Sequence, residues 1–93
     1  MKEKYFYIKR IHPDRMIIFK TKNQYITFGQ DLEILKYFKL RKLFQKLENL
    51  DISYMILDKD LTILKQNLTK KNNYRYLLKK IFIIKVLRGD YCE

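Results

Sequence analysis

The chain has few of the residues on which small secreted domains and many catalytic sites depend. Among its 93 residues Cys92 is the only cysteine, so no intrachain disulfide can form. His12 is the only histidine and lies before Pro13, where we interpret it as a helix-end residue and not as a general base, so we expect neither a zinc cluster nor a Cys-His or Ser-His-Asp arrangement. We therefore expect a cytoplasmic protein without a catalytic residue, a metal site or a cofactor.

Long hydrophobic runs and flexible linkers are also missing. No apolar run is longer than about four residues, as in "IFII" at 81–84, far below the ~18 residues needed to span a bilayer. The N-terminal "MKEKYFYIKR" has neither the apolar core nor the cleavage site of a signal peptide. Two glycines, one proline and no repeat leave nothing to divide the chain. These features predict one domain over residues 1–93 and no membrane partner.

Acidic residues are scarce. The chain has 10 acidic residues and 21 lysines and arginines, which gives a formal net charge of +11 and a pI near 9.8. Such a balance suits a polyanionic partner such as DNA or RNA. Lysine outnumbers arginine, and Ile, Asn and Tyr are plentiful, as an AT-rich genome would also produce. A solvated lysine surface without a partner is therefore the alternative.

The first third of the chain predicts a helix followed by a hairpin. Residues 2–11 place Tyr5, Ile8 and His12 on one side and Lys9 elsewhere, which indicates a short amphipathic helix. Pro13 ends it, because a residue before proline is disfavoured in the helical region.

The hairpin is predicted from two branched and aromatic runs. "RMIIFKT" (15–21) and "QYITF" (24–28) read as strands joined by a "KN" turn. Gly29 closes the hairpin, and Asp31 is placed to cap the next helix.

The remainder alternates between helical and strand patterns. From Asp31 to Leu50 the apolar spacing is helical, with a slip near Lys39 that predicts two helices. "SYMIL" and "LTILK" predict a strand pair, and "NLTKKNN" an exposed loop. The last stretch is ambiguous; we predict a helix over 74–78 and a strand over 80–87. The implied class is α+β, a small mixed sheet flanked by helices.

Residues 12–31, "HPDRMIIFKTKNQYITFGQD", resemble the start of the N-terminal mismatch-recognition domain (domain I) of the DNA repair protein MutS. The shared framework residues are His12, Pro13, Asp14, Tyr25, Phe28, Gly29 and Asp31. "LFQKLENLDISYMILDKD" is similar to a later helix and strand of that domain, and "FIIKVLRG" to its closing strand. The resemblance implies a MutS domain I-like fold.

The two reading residues of that family are replaced here. In MutS domain I a Phe wedges into the base stack and a Glu hydrogen-bonds the displaced base; Gln24 and Ile26 occupy the aligned positions. Lys22 and Asn23 replace a Gly-Asp pair and add positive charge at the hairpin tip. No Gly-rich phosphate-binding loop occurs in the 93 residues, so we do not expect a repair ATPase.

These observations lead to two hypotheses. The first is a nucleic-acid-binding module that contacts backbone phosphates with little sequence readout. Its candidate residues are Lys20, Lys22, Asn23, Gln24, Lys70, Lys71, Arg75, Lys79 and Lys80, and we expect the hairpin and loop lysines to converge on one face. The second is an adaptor of a larger nucleic-acid enzyme such as a reverse transcriptase, because small MutS-like proteins accompany the reverse transcriptases of diversity-generating retroelements.

Some side chains have more than one interpretation. Tyr5, Tyr7, Tyr74 and Tyr76 are candidate contact aromatics, although core positions are the more usual use of tyrosine. The acidic residues of "DKD" at 58–60 could hold a metal ion with Asp14, but the motif is more typical of a turn between strands. We therefore predict no enzyme.

Overall fold

The computed structural model describes residues 1–38 and 42–87. These residues form four helices and four strands. In chain order they are α1 (Lys2–Ile11), β1 (Met16–Thr21), β2 (Gln24–Ile26), α2 (Gly29–Tyr37), α3 (Leu43–Asn49), β3 (Tyr54–Leu57), β4 (Ile63–Asn67) and α4 (Tyr74–Leu87). None of the helices in the two described ranges is long and apolar enough to cross a membrane.

The four strands form one mixed sheet in the order β2-β1-β3-β4. β1 pairs antiparallel with β2 and parallel with β3, and β3 pairs antiparallel with β4. The predicted first hairpin is confirmed, since Lys20 lies opposite Tyr25 and Thr21 opposite Gln24 around the "KN" turn. The α+β class is confirmed as well.

Helices cover both faces of the sheet because side chains alternate along β1. Met16 and Ile18 belong to one buried cluster, to which α2, α3 and α4 contribute. Ile17 and Phe19 belong to a second cluster on the opposite face, where Tyr5 and Ile8 of α1 pack. We therefore call these the three-helix face and the α1 face.

The two helices and two strands that follow the first hairpin occur in the predicted order. Two helices occupy the region from Asp31 to Leu50, as predicted, with α2 ending at Tyr37 and α3 beginning at Leu43. The expected break near Lys39 lies outside the described residues. Between β3 and β4 the Asp58 carboxylate accepts hydrogen bonds from the backbone N–H groups of Asp60 and Thr62, which is turn chemistry.

The predicted strand over 80–87 is wrong, because α4 continues through it. Tyr74, Leu77 and Ile81 recur at helical spacing and are all buried against the three-helix face. The helical period thus persists past the point where branched residues favour a strand, and no glycine or proline interrupts it. Packing of one helix side outweighs the local β preference.

Candidate nucleic-acid interface

The predicted phosphate-contacting residues lie in two separate groups. The first, the hairpin-tip group, consists of Lys20, Lys22, Asn23 and Gln24 at the end of β1 and the start of β2, and all four are exposed. They line a cleft of about 620 Å³ together with Thr21, Asp58, Lys59 and Asp60. This group therefore shares its cleft with two acidic side chains.

The second group, the α4 basic face, consists of Lys70, Lys71, Arg75, Lys79 and Lys80, and all five are exposed. Lys70 and Lys71 lie in the loop before α4, and the other three on the first two turns of that helix. Residues 75 and 79 are four apart, so they are neighbours on the helix surface.

The expected convergence of the two groups on one face is wrong. The loop before α4 is fixed at the start of β1 and β3, where the Asn72 side chain donates to the Asp14 carbonyl and accepts from the Ser53 N–H. The turn with Lys22 lies at the other end of β1. Six extended residues separate the ends by about 17 Å. The length of β1 therefore separates the hairpin-tip group from Lys70 and Lys71 in the loop before α4.

The two groups differ in their balance of charge. No acidic residue occurs between Asp60 and Asp90, while Lys or Arg occurs eight times in that interval. Among described residues, no acidic side chain forms an ion pair with a member of the α4 basic face. Glu33 of α2 reaches α4, but it pairs with Lys85. Within the described ranges Lys20 and Lys22 of the hairpin-tip group form no ion pair either, so the two groups differ in their number of cations, five against two, and in the two acidic residues that line the hairpin-tip cleft. On this comparison the α4 basic face attracts an anion more strongly.

The loop that carries Lys70 and Lys71 is held by side chains on either side of them. The Thr69 N–H donates to the Ser53 hydroxyl at 3.1 Å, and the Thr69 hydroxyl donates to the Asp51 carbonyl at 3.0 Å. The Asn72 N–H donates to the Thr69 hydroxyl at 3.0 Å. These hydrogen bonds fix the loop to residues 51–53, and a loop held in one conformation has a lower entropic cost of binding.

The four candidate contact tyrosines divide evenly between core and surface. Tyr5 and Tyr74 are buried, in agreement with the core interpretation, so these two candidates are not contact aromatics. Tyr7 is 57% exposed and Tyr76 is 70% exposed. Tyr76 lies within the α4 basic face, whereas Tyr7 lies on α1.

A groove of about 430 Å³ lies beside the basic face, between α2 and α4. Its lining residues are Gln30, Glu33, Leu78, Lys79, Ile81, Phe82, Ile83 and Lys85. Phe82 and Ile83 are exposed although both are large and apolar. The second half of α4 thus presents an apolar surface next to the cationic one.

The sequence did not reveal a buried polar network around Asp31. This residue was expected to cap α2, but α2 starts at Gly29 and the Asp31 carboxylate is fully buried. It accepts hydrogen bonds from the Tyr5 hydroxyl at 2.8 Å and from the Tyr74 hydroxyl. The Lys9 ammonium, expected away from the packed side of α1, lies 3.0 Å from it with a side chain only 11% exposed. One carboxylate therefore ties α1, α2 and α4 together.

The same carboxylate completes the hydrogen bonding of β1. β2 ends at Ile26, so no strand residue pairs with Ile17 on that side. The Ile17 N–H donates to Asp31 at 3.0 Å, and the Ile17 carbonyl accepts from the Thr27 hydroxyl at 2.6 Å. Gly29 permits this exit from the sheet, because its φ is +55° and a Cβ there would lie 3.4 Å from the Tyr5 ring. Sequence spacing contains no signal for this arrangement.

Burial governs the protonation of the network. It raises the pKa of Tyr5 and of Tyr74 well above the ordinary value, and the neighbouring Asp31 charge raises both further. Burial lowers the pKa of Lys9, which Asp31 partly offsets. Both tyrosines thus stay protonated in the folded protein at a pH where an unfolded chain loses those protons.

We expect the fold to lose stability in alkaline solution. A raised pKa gives stability that is present below about pH 10 and lost above it, at up to about 1.4 kcal/mol per pH unit for each of Tyr5 and Tyr74. The lowered pKa of Lys9 makes the folded state more stable as the pH rises, but only below about pH 10.5, so Lys9 has little effect on this measurement. Urea unfolding at about pH 10.5 and 11.5 measures the loss. The Tyr5→Phe/Tyr74→Phe variant should lose much less over this interval; an equal loss would contradict the assignment.

No group of three or more His, Cys, Asp or Glu side chains that could hold a metal ion occurs within 1–38 and 42–87.

No protein-family model, curated protein or solved structure matches the chain. The resemblance of residues 12–31 to MutS domain I therefore stays a prediction. At the hairpin that carries it, Gln24 is exposed and Ile26 half-buried.

Proposed function

We propose that the protein is a non-catalytic, cytoplasmic nucleic-acid-binding module that contacts the phosphate backbone of DNA or RNA. The observation that carries this proposal is the α4 basic face, five exposed cations without an acidic partner among the described residues. A cluster of exposed cations that form no ion pair attracts a polyanion, and each phosphate neutralised releases a condensed counterion. Affinity is therefore expected to depend strongly on salt.

Two further features support this surface over the hairpin tip. The helix dipole adds partial positive charge at the first turn of α4, where Arg75 lies and where no acidic residue occurs. The loop with Lys70 and Lys71 is held by the hydrogen bonds of Thr69 with Ser53 and Asp51. At the hairpin tip, Asp58 and Asp60 counter the lysines.

The module should bind without reading sequence. Phosphate contacts orient a protein on nucleic acid but carry no base information. The hairpin lacks the Phe-x-Glu pair with which MutS domain I reads bases, since Gln24 offers no aromatic ring and Ile26 no hydrogen-bonding group. The hairpin-tip group is then a secondary contact.

Two matched double variants test which group makes the phosphate contacts. Lys70→Gln/Lys71→Gln should flatten the slope of log affinity against log salt by about 1.4 on a single strand, or about 1.8 on a duplex, because each contact adds about 0.7 or 0.9. Lys20→Gln/Lys22→Gln removes the same charge and should change the slope by less than about 0.5. Fluorescence anisotropy with a labelled oligonucleotide gives both slopes.

A larger flattening by the hairpin pair would move the interface to the hairpin tip. Equal flattening by both pairs would mean that total charge alone determines binding. In that case the nucleic-acid module gives way to the second candidate function.

The second candidate is an adaptor of a larger nucleic-acid enzyme such as a reverse transcriptase. The groove between α2 and α4, with exposed Phe82 and Ile83, favours it, because large apolar side chains on a surface mark contacts with other proteins. An adaptor brings its charge to a substrate that the enzyme holds. It therefore predicts no binding of nucleic acid by the purified chain alone at about 0.15 M salt.

A further inference from the structure

Tyr76 is the most exposed aromatic side chain in the part of the chain that the structure describes. Its exposed fraction is 70%, compared with 57% for Tyr7 and 45% for Tyr37. An aromatic ring of this size usually buries most of its apolar surface, as Tyr5, Tyr54 and Tyr74 do here. Water therefore covers a flat apolar ring that a ligand could cover instead.

Two lysines are neighbours of that ring on the helix surface, and further cations lie close to it in sequence. Lys79 and Lys80 follow Tyr76 by three and four residues, so they are its neighbours on the helix surface, about 5–6 Å away between Cβ atoms. Arg75 precedes it directly, and the loop with Lys70 and Lys71 leads into the same first turn. The ring thus lies inside the surface where phosphates are expected, and not on a separate patch.

An exposed aromatic ring beside lysines is more than binding to the phosphate backbone alone requires. Cations are sufficient to hold a duplex by its phosphates, and an exposed tyrosine adds nothing to that contact. A ring flanked by cations can instead stack on a base while the lysines hold the phosphates on either side. The base must then be unpaired, because a duplex exposes base faces only at its ends.

We propose that the α4 basic face binds single-stranded nucleic acid and that an unpaired base stacks on the Tyr76 ring. This inference rests on the proposed function and adds the class of ligand to it. Every base has a flat face, so stacking on one ring tolerates any sequence, in agreement with the absence of a base-reading device.

The test compares the full chain and three variants on a labelled single strand of about 12 nucleotides and on the duplex of the same sequence, at about 0.1 M salt. Tyr76→Ala should bind the single strand about tenfold more weakly, whereas Tyr76→Phe, which keeps the ring, should stay within about twofold. Tyr7→Ala, an exposed tyrosine on α1, is the matched control and should also stay within about twofold. Unfolding midpoints in urea confirm that each variant is folded.

Two further readouts separate stacking from charge. The salt slope should not change in Tyr76→Ala, because the ring releases no counterion, and duplex affinity should change by less than about twofold. Unchanged single-strand affinity in Tyr76→Ala, or an equal loss on the duplex, would overturn the inference while leaving phosphate binding intact. Absence of binding by the unmodified chain would instead overturn both the inference and the proposed function.

Discussion

Replacing Asp31 with Asn is expected to lower the free energy of unfolding by about 3–5 kcal/mol, the usual cost of removing one partner of a buried ion pair. The Lys9 ammonium would keep its place between helices but lose the charge that it faces at 3.0 Å. The amide also offers one acceptor oxygen, whereas the carboxylate now accepts from the hydroxyls of Tyr5 and Tyr74 and from the Ile17 N–H. Donors of the core would therefore lose partners.

A loss of this size is a large part of the stability of a small domain, about 5–15 kcal/mol in total. Urea unfolding followed by circular dichroism measures it. Asp60→Asn is the matched control, because its carboxylate is exposed and makes no described contact; a change below about 0.5 kcal/mol is expected. If Asp31→Asn were as mild as the control, the carboxylate would not be the junction of α1, α2 and α4.

Reversing two charges on the α4 basic face should have the largest effect on binding. Arg75→Glu/Lys79→Glu is expected to weaken single-strand affinity at least 25-fold at about 0.1 M salt, because two contacts at about 0.7 each are lost from the slope. Repulsion between the new carboxylates and phosphates adds to this loss. Both side chains are exposed, so the fold should persist.

The control makes the same change in net charge on another surface. Lys2→Glu/Arg10→Glu alters one exposed lysine and one exposed arginine of α1, the helix on the opposite face of the sheet. Its affinity should fall by less than about threefold, since exposed charges beyond a Debye length of about 10 Å are largely screened. Similar losses in both variants would show that the position of the charge is irrelevant.

Local signals in the sequence were sufficient to predict the first hairpin and the helix before it. The strands around Lys22 and Asn23 follow from branched runs and a two-residue turn, and Pro13 correctly marks the end of α1, which stops at Ile11. These features depend on residues close in the chain. The α+β class followed from their alternation with helical segments.

The failures concern contacts between distant residues. Asp31 has the position of a helix cap in sequence, but its partners Tyr5 and Tyr74 lie 26 and 43 residues away. Residues 80–87 are helical because one side of α4 packs against the sheet, and local composition does not show which side of a helix will be buried. Neither partner choice nor packing side can be read from spacing.

At the candidate interface, too, contacts between residues distant in sequence could not be predicted. Exposure of Lys22, Lys70 and Lys71 was predictable, since they lie in polar turns. Their relative position was not, because it depends on the hydrogen bonds of Asn72 at the start of β1. The sequence thus predicted which lysines reach solvent and could not predict which of them lie close together.

The salt dependence of single-strand binding by the purified, unmodified chain tests the central claim most directly. With all five cations of the α4 basic face on phosphates, log affinity should fall against log salt with a slope of about −3.5, and binding should persist at about 0.15 M salt. No binding at that salt, or a slope weaker than about −1, would contradict the account.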